Sequence, residues 1–241
     1  QLFCGNSSRP VISIDWSDID DRKAHFLLRA AISLKGRPIT LYQDLHCNKT
    51  KEQPATHKAF LKTLHAMLLQ IIAYSRPIIV TDAGYKSPWF REVLALGWDI
   101  VGRIRKSHFY SLDRGNTWQC IRHLYGQATC RPKRFDNSQI VRNNRFTCTL
   151  VLFKQKTKGR HASNPDVTRK ASKRSKVHAQ GAKDPWLLAT LLTSHRSLSK
   201  QVVAIYRQRM LIEEGFRDMK STKFGLGYEQ NKSVKKQRPP Y

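Results

Sequence analysis

Two short apolar runs, each followed by an aspartate, constrain the fold of this chain most. The first run, PVISI, spans 10–14 and leads to Asp15, and the second, IIVT, spans 78–81 and leads to Asp82. Between them, residues 56–74 have apolar side chains at helical spacing, which predicts an amphipathic crossover helix. A strand, helix, strand unit pairs its strands in parallel. The two aspartates therefore reach the same sheet edge if those strands are neighbours.

Three further segments have the composition of strands. Residues 24–34 (AHFLLRAAISL) and 38–45 (PITLYQDL) are joined by a plausible tight turn at 35–37, which predicts an antiparallel meander with the first strand. A short helix is expected at 88–96, and WDIVGRI at 98–104 is the fifth strand. These elements predict an α/β fold with a mixed five-stranded sheet flanked by helices.

The regular alternation of strands and helices ends after residue 106. Strand-like runs at 146–153 and 186–192 make 107–194 a predicted β-rich insertion. It contains a basic loop, 154–183, with ten Lys and Arg residues against one Asp, which we expect to be disordered when free and able to contact phosphates. The full predicted division is an irregular remnant at 1–9, a first core part at 10–106, the insertion at 107–194, a core helix region at 195–227 and a disordered basic tail at 228–241.

The overall charge favours a polyanionic partner. The chain has 241 residues, enough for one domain with an elaboration or two small ones, and its 44 Lys and Arg against 17 Asp and Glu give a formal charge of +27. Nucleic acid is a better match to this excess than an acidic membrane. No run of 18 apolar residues and no signal peptide pattern is present, so we expect an intracellular protein. The five Cys lack zinc-type spacing and are expected to be reduced.

Residues 200–220 (KQVVAIYRQRMLIEEGFRDMK) predict one amphipathic helix. Its apolar positions recur at three, four and seven residues: Ile205, Ile212, Phe216 and Met219. A narrow polar stripe borders that face: Tyr206, Arg209, Glu213 and Lys220. One interpretation is an ordinary Arg209–Glu213 ion pair on a solvated face. The other is a single carboxylate held beside two cations and a phenol, an arrangement suited to a metal next to a phosphate.

Asp15, Asp82 and Glu213 are the candidate site. Three carboxylates brought together repel one another, and hard cations such as Mg²⁺ relieve that repulsion while leaving positions for water and phosphate. Two ions about 4 Å apart activate a water or a 3′-hydroxyl and stabilise the departing oxygen of a phosphoryl displacement. A single Asp at a strand end is more often a turn former or cap. The joint arrangement, in a chain this basic, favours a metal nuclease or strand transferase.

Five segments of the chain resemble a known family. They are IDWSDID at 14–20, GRPITLY at 36–42, VTDAGYKSPWF at 80–90, KDPWLLAT at 183–190 and YRQRMLIEEGFRDMK at 206–220. The sequence from Val11 to about Gly227 resembles the DDE transposases of bacterial insertion sequences. Within them it resembles insertion-sequence family four, and it looks closest to the Tn-ten type. The last segment matches the family's Y-x2-R-x3-E-x6-K signature at every specified position.

The resemblance implies an RNase H-like fold with a β-rich insertion before the helix that bears the catalytic Glu. It implies that Asp15, Asp82 and Glu213 are the catalytic metal ligands for two Mg²⁺ ions, with Mn²⁺ able to substitute. It further implies four DNA-binding residues: Tyr206, Arg209 and Lys220 on phosphates and flanking nucleotides, and Trp186 stacked on a flipped base. The alternative for Trp186 is a core residue on a buried strand.

The activity implied is cut-and-paste DNA transposition, in which the protein cleaves the transposon strand, forms and opens a hairpin, and joins the 3′-hydroxyl to target DNA. The implied partners are double-stranded DNA, both transposon ends and target, and a second copy of the protein in a homodimeric synaptic complex. No membrane is involved, and the implied location is the bacterial cytoplasm, at the nucleoid.

Two other functions remain open. Family members have an N-terminal region that recognises transposon ends and C-terminal helices that support assembly. Only some fourteen residues precede Asp15 and twenty-one follow Lys220, and the chain begins at Gln1, so we expect a fragment. The main alternative is therefore a truncated, catalytically silent DNA-binding remnant. An RNase H-like nuclease acting on repair or RNA·DNA substrates ranks below both.

Overall fold

The computed structural model describes residues 9–20, 22–34, 36–71, 76–105, 108–155, 184–221, 223 and 225. The predicted irregular remnant (except residue 9), most of the predicted basic loop and the predicted basic tail lie outside these residues. The chain divides into two compact units. The first comprises Gln1–Gly102 with Ile205–Tyr241, and the second is Arg103–Ala204.

The first unit is built on a mixed sheet, as the sequence predicts. Its strands are β1 (Val11–Asp18), β2 (His25–Leu34), β3 (Arg37–Cys47), β4 (Ile78–Thr81) and β5 (Asp99–Ile104). They lie in the order β3-β2-β1-β4-β5. The meander β1-β2-β3 is antiparallel, whereas β4 is parallel to β1 and β5 is parallel to β4. The chain thus has a mixed α/β fold, in which β1 is antiparallel to its neighbour β2 and parallel to its neighbour β4.

Helix α1 (Pro54–Ile71) connects β3 to β4, and α2 (Ser87–Ala95) connects β4 to β5. The amphipathic pattern of α1 is confirmed, because its buried residues recur at helical spacing: Phe60, Leu61, Leu64 and Leu68. The last residues of the predicted helix, 72–74, lie outside the described part. No helix among the described residues is long and apolar enough to cross a membrane.

The register between β1 and β4 brings the two aspartates together. Val11 pairs with Ile78, and the pairing runs in step to Ile14 with Thr81. Asp15 and Asp82 are the next residues on each side, on strands about 4.8 Å apart. The expectation that these strands are parallel neighbours is therefore confirmed. Asp82 directly follows the last residue of β4, whereas β1 continues to Asp18, so the prediction that the first strand ends before Asp15 is wrong.

The second unit is rich in strands in its described part. These strands are β6 (Phe109–Ser111), β7 (Gln119–Cys120), β8 (Lys133–Ile140), β9 (Phe146–Phe153) and β10 (Trp186–Thr190). They lie in the order β10-β9-β8-β6-β7 with antiparallel pairing throughout. A short helix, α3 (Arg122–Tyr125), follows β7.

The prediction of one helix over 200–220 is wrong. The structure has two helices, α4 (Leu198–Gln208) and α5 (Met210–Lys220), and Arg209 lies between them. The Arg209 N–H donates to the Tyr206 carbonyl at 3.1 Å, and the Ile212 N–H donates to the Arg209 carbonyl at 3.1 Å. Both bonds span three residues instead of four, so the backbone tightens there as in a 3₁₀ turn.

Helix α5 packs closely on the meander. Its apolar side forms a small core with β2 through four side chains: Leu27, Ala31, Ile212 and Phe216. Gly215 faces β3, where an added Cβ would lie 2.6 Å from Pro38 Cγ. Only a glycine allows the helix to approach the proline ring at this distance. The approach sets the position of α5 over the meander, whose first strand contains Asp15.

Candidate functional site

One arginine joins two of the three predicted carboxylates. Arg209 Nη1 donates to Asp15 Oδ2 at 2.9 Å, and Arg209 Nη2 donates to Glu213 Oε1 at 2.6 Å. Arg209 is only 4% exposed, because its side chain lies against Asp15 of β1. The interpretation of Arg209 and Glu213 as an ion pair on a solvated face is therefore wrong for the arginine. Glu213 itself is half exposed.

The pKa of Asp15 is strongly perturbed. Burial raises its pKa to about 7, and the nearby charges of Asp82 and Glu213 raise it as well. The Arg209 guanidinium and the Trp16 N–H, which donates to Asp15 Oδ1 at 2.9 Å, oppose this increase. The effect of burial on Asp15 therefore outweighs that of its stabilising partners.

Asp82 is held by a tyrosine from the end of α4. The Tyr206 hydroxyl donates to Asp82 Oδ1 at 2.9 Å, and Tyr206 is 1% exposed. The sequence prediction assigned Tyr206 and Arg209 to DNA contact. Both side chains instead lie against the carboxylates in this structure, and their role on DNA stays a prediction.

Arg209 remains charged in spite of its burial. Burial alone lowers its pKa, but the surrounding groups raise it above the ordinary arginine value: Tyr206, Asp82, Asp15 and Glu213. Its guanidinium carbon also lies 5.6 Å from the centroid of the Tyr206 ring. One permanent positive charge therefore faces three carboxylates, which leaves the group with a net negative charge.

An open cleft of about 550 Å³ adjoins the carboxylates. Its lining comprises Asp15, Trp16, Ser17, Glu213, Phe216, Arg217, Lys220 and Ser221. Two of these side chains are carboxylates and two are cations from the last turn of α5. A phosphate in this cleft would meet Arg217 and Lys220 beside Asp15 and Glu213.

Trp186 lies on β10 in the second unit. It is 7% exposed, and its ring centroid is 5.7 Å from that of Phe153 on the neighbouring strand. This is the buried strand position that the core alternative describes. Stacking of Trp186 on a flipped base stays a prediction.

Two site residues were not identified from the sequence. Arg217 is four residues after Glu213, so the same spacing rule that singled out Arg209 indicates its position on the cleft. Tyr85 follows Asp82 by three residues and is 3% exposed. Its hydroxyl has no hydrogen-bond partner among the described residues. Burial and then the Asp15 charge raise its pKa well above the ordinary value. No simple pattern in the sequence marks Tyr85.

The carboxylates fit a divalent cation by their chemistry. Asp15 and Asp82 supply the hard oxygen ligands that Mg²⁺ prefers, and a cation beside Asp15 would oppose the effect of burial, which raises the pKa of that carboxyl group. Glu213 is separated from Asp15 by the Arg209 guanidinium. Accordingly, the described residues contain no group of three His, Cys, Asp or Glu side chains close enough to hold one ion.

Carboxylates on neighbouring parallel strands, beside a cleft that also presents two cations, are typical of enzymes that cut or join nucleic acids. The family model described as "Transposase DDE domain" matches residues 6–236. The chain therefore belongs to the transposase DDE domain family, whose general function is DNA transposition and whose general partner is DNA. No curated protein matches the chain.

Proposed function

We propose that this chain is the catalytic domain of a bacterial cut-and-paste transposase of insertion-sequence family four, close to the Tn-ten type, with an RNase H-like fold. The observation that supports it best is the parallel register of β1 and β4, in which Asp15 and Asp82 each follow the last paired residue, with Glu213 tied to Asp15 through Arg209. The strand order of the first unit is compatible with that fold. The reaction would comprise strand cleavage, hairpin formation and opening, and joining of the 3′-hydroxyl to target DNA.

In this proposal Asp15, Asp82 and Glu213 hold two Mg²⁺ ions, for which Mn²⁺ can substitute. When bound, the cations supply a polarised attacking oxygen and stabilise the departing one. The residues of the chain orient the ligands. The Tyr206 hydroxyl fixes the rotamer of Asp82, and the Trp16 N–H fixes that of Asp15.

DNA would lie along the cleft of the first unit. Lys220 and Arg217 line that cleft and would contact backbone phosphates beside the carboxylates. Trp186 is proposed to stack on the flipped base, an interaction of about 1–3 kcal/mol. Tyr206 and Arg209 are the remaining DNA contacts that the resemblance implies. A homodimer at the paired ends and a location at the bacterial nucleoid complete the proposal.

Nicking of DNA tests the function. The 241-residue chain is incubated with Mg²⁺ and a supercoiled plasmid that contains the DNA flanking its gene. We expect Asp82→Asn and Glu213→Gln to reduce nicking by at least about a hundredfold, since each removes a proposed ligand. Glu214→Gln is the matched control, because Glu214 is the neighbouring exposed carboxylate on α5 and has no proposed role.

The outcomes separate the candidate functions. Binding without any nicking, in Mg²⁺ and in Mn²⁺, would favour the catalytically silent DNA-binding remnant. Nicking that survives both substitutions would contradict the assignment of the site. An RNA·DNA duplex serves as a parallel substrate, and preferential cleavage of its RNA strand would favour the nuclease alternative.

A further inference from the structure

The burial of Arg209 conflicts with a direct contact to DNA. Its side chain is 5% exposed, and its two terminal nitrogens already donate to Asp15 and Glu213. Such charge-assisted bonds are roughly twice as strong as neutral ones. Because its side chain is buried and does not line the cleft, Arg209 would have to change position to reach a phosphate there. A different role follows more directly from these contacts.

Arg209 also binds the oxygens that a cation would need. Asp15 Oδ2 and Glu213 Oε1 are each within hydrogen-bond distance of the guanidinium. A divalent ion and the guanidinium therefore compete for the same ligand atoms. The positive charge of Arg209 adds an electrostatic penalty to any cation that binds beside it.

We propose that Arg209 is a positioning residue, an internal counter-ion that holds Asp15 and Glu213 together in the metal-free chain and competes with the divalent cation for their oxygens. This inference rests on the proposed function, because it concerns the same metal ligands. Cation binding then requires displacement of the guanidinium from at least one carboxylate.

Arg217 provides a matched control. It is an arginine eight residues further along the chain, on α5, and it lines the cleft beside Asp15 and Glu213, but it is exposed and forms no ion pair among the described residues. Replacing either arginine by methionine removes one positive charge and preserves most of the apolar stem. Only the change at residue 209 removes a competitor from the carboxylates.

Calorimetric titration of Mn²⁺ into the metal-free 241-residue chain tests the competition. We expect Arg209→Met to bind Mn²⁺ at least about fivefold more tightly than the native chain. This factor corresponds to about 1 kcal/mol, which is less than the repulsion in water between one unit charge and a divalent ion about 4 Å away. Arg217→Met should change the affinity less, because exposed charges are screened by salt. Equal or weaker binding by Arg209→Met would overturn the proposal.

A second variant covers the case in which Arg209→Met does not fold. Arg209→Lys retains the charge but lacks the planar fork that reaches two carboxylates at once. We expect it to bind Mn²⁺ more tightly than the native chain and less tightly than Arg209→Met. An affinity at or below the native value would contradict the competition.

DNA binding gives an independent readout. The association constant K for DNA falls as salt is added, so a plot of log K against the logarithm of the salt concentration has a negative slope. In the absence of divalent metal, Arg217→Met should reduce the magnitude of that slope by about one, as expected for a lost phosphate contact. Arg209→Met should leave the slope unchanged, whereas a decrease of about one would return Arg209 to the role of a phosphate contact. The proposed function fails separately if Asp82→Asn binds Mn²⁺ as the native chain does.

Discussion

Replacement of Gly215 by alanine tests how closely α5 approaches β3. The new Cβ would lie 2.6 Å from Pro38 Cγ, a separation at which an atom has to move. Pro38 is a rigid ring in β3, so it cannot rotate away as a flexible side chain would. Relief requires a shift of the helix itself, which also bears Glu213.

The expected energy combines two opposing effects. Overpacking of this kind costs about 1–3 kcal/mol. Alanine in a helix interior is favoured over glycine by about 1 kcal/mol. Gly215→Ala should therefore lower the free energy of unfolding by about 0–2 kcal/mol in the native background. In a Pro38→Ala background Cγ is absent, and the remaining contacts, to the Cβ of residue 38 at 3.6 Å and to Arg29 Nη1 at 3.9 Å, are ordinary ones. There the same change should stabilise the chain by about 1 kcal/mol.

Urea unfolding of four chains measures this double-mutant cycle: the native chain, both single variants and the double variant. We expect a coupling of about 1–3 kcal/mol between the two positions, with a change of sign for Gly215→Ala. Plasmid nicking should fall in Gly215→Ala and recover in the double variant, because α5 returns to its position. A coupling below about 0.5 kcal/mol would refute the close approach.

Two further predictions concern the carboxylates. The pKa of Asp15 is raised by burial from 3.8 to about 7, so the folded metal-free chain binds this proton more tightly than the unfolded one. Its free energy of unfolding should therefore fall by at most about 4 kcal/mol as the pH rises from about 4 to 7. Urea unfolding in the presence of EDTA measures this dependence on pH, which Asp15→Asn should abolish. Tyr206→Phe removes the hydrogen bond to Asp82, which should lower stability by about 1 kcal/mol. The same change should reduce the rate of Mg²⁺-dependent nicking and leave the affinity for DNA, measured by filter binding, unchanged. A loss of affinity would instead favour direct contact between Tyr206 and DNA.

The sheet of the first unit was largely predictable from local patterns. The run of β-branched residues at 78–81 coincides with β4, because such a run fits only a buried strand. The crossover helix and the known geometry of strand, helix, strand units then limit where Asp15 and Asp82 lie. The turn predicted at 35–37 also agrees with the conformation of Gly36, whose φ of 89° lies in the left-handed region that glycine favours.

The environment of Arg209 was not predictable in the same way. Helical periodicity describes neighbours within one element, and it identified the contact to Glu213 four residues later. The contact to Asp15 joins residues 194 positions apart, and nothing local encodes it. The interruption between α4 and α5 changes the hydrogen bonds of a few residues only, which leaves the apolar period almost intact. The closeness of Gly215 to Pro38 depends in the same way on packing between distant segments.

The register of β1 and β4 limits how this protein can change in length. Successive side chains of a strand point to opposite faces, so Asp15 and Trp16 diverge, and Trp16 donates to His57 of α1 on the other face at 3.3 Å. Deleting or adding one residue within Ile78–Thr81 would turn Asp82 towards α1, away from Tyr206 and the cleft. Insertions and deletions are therefore expected to be tolerated only in the connecting loops. The number of residues between Pro77 and Asp82 is fixed, because it determines whether the Asp82 carboxylate reaches the Tyr206 hydroxyl.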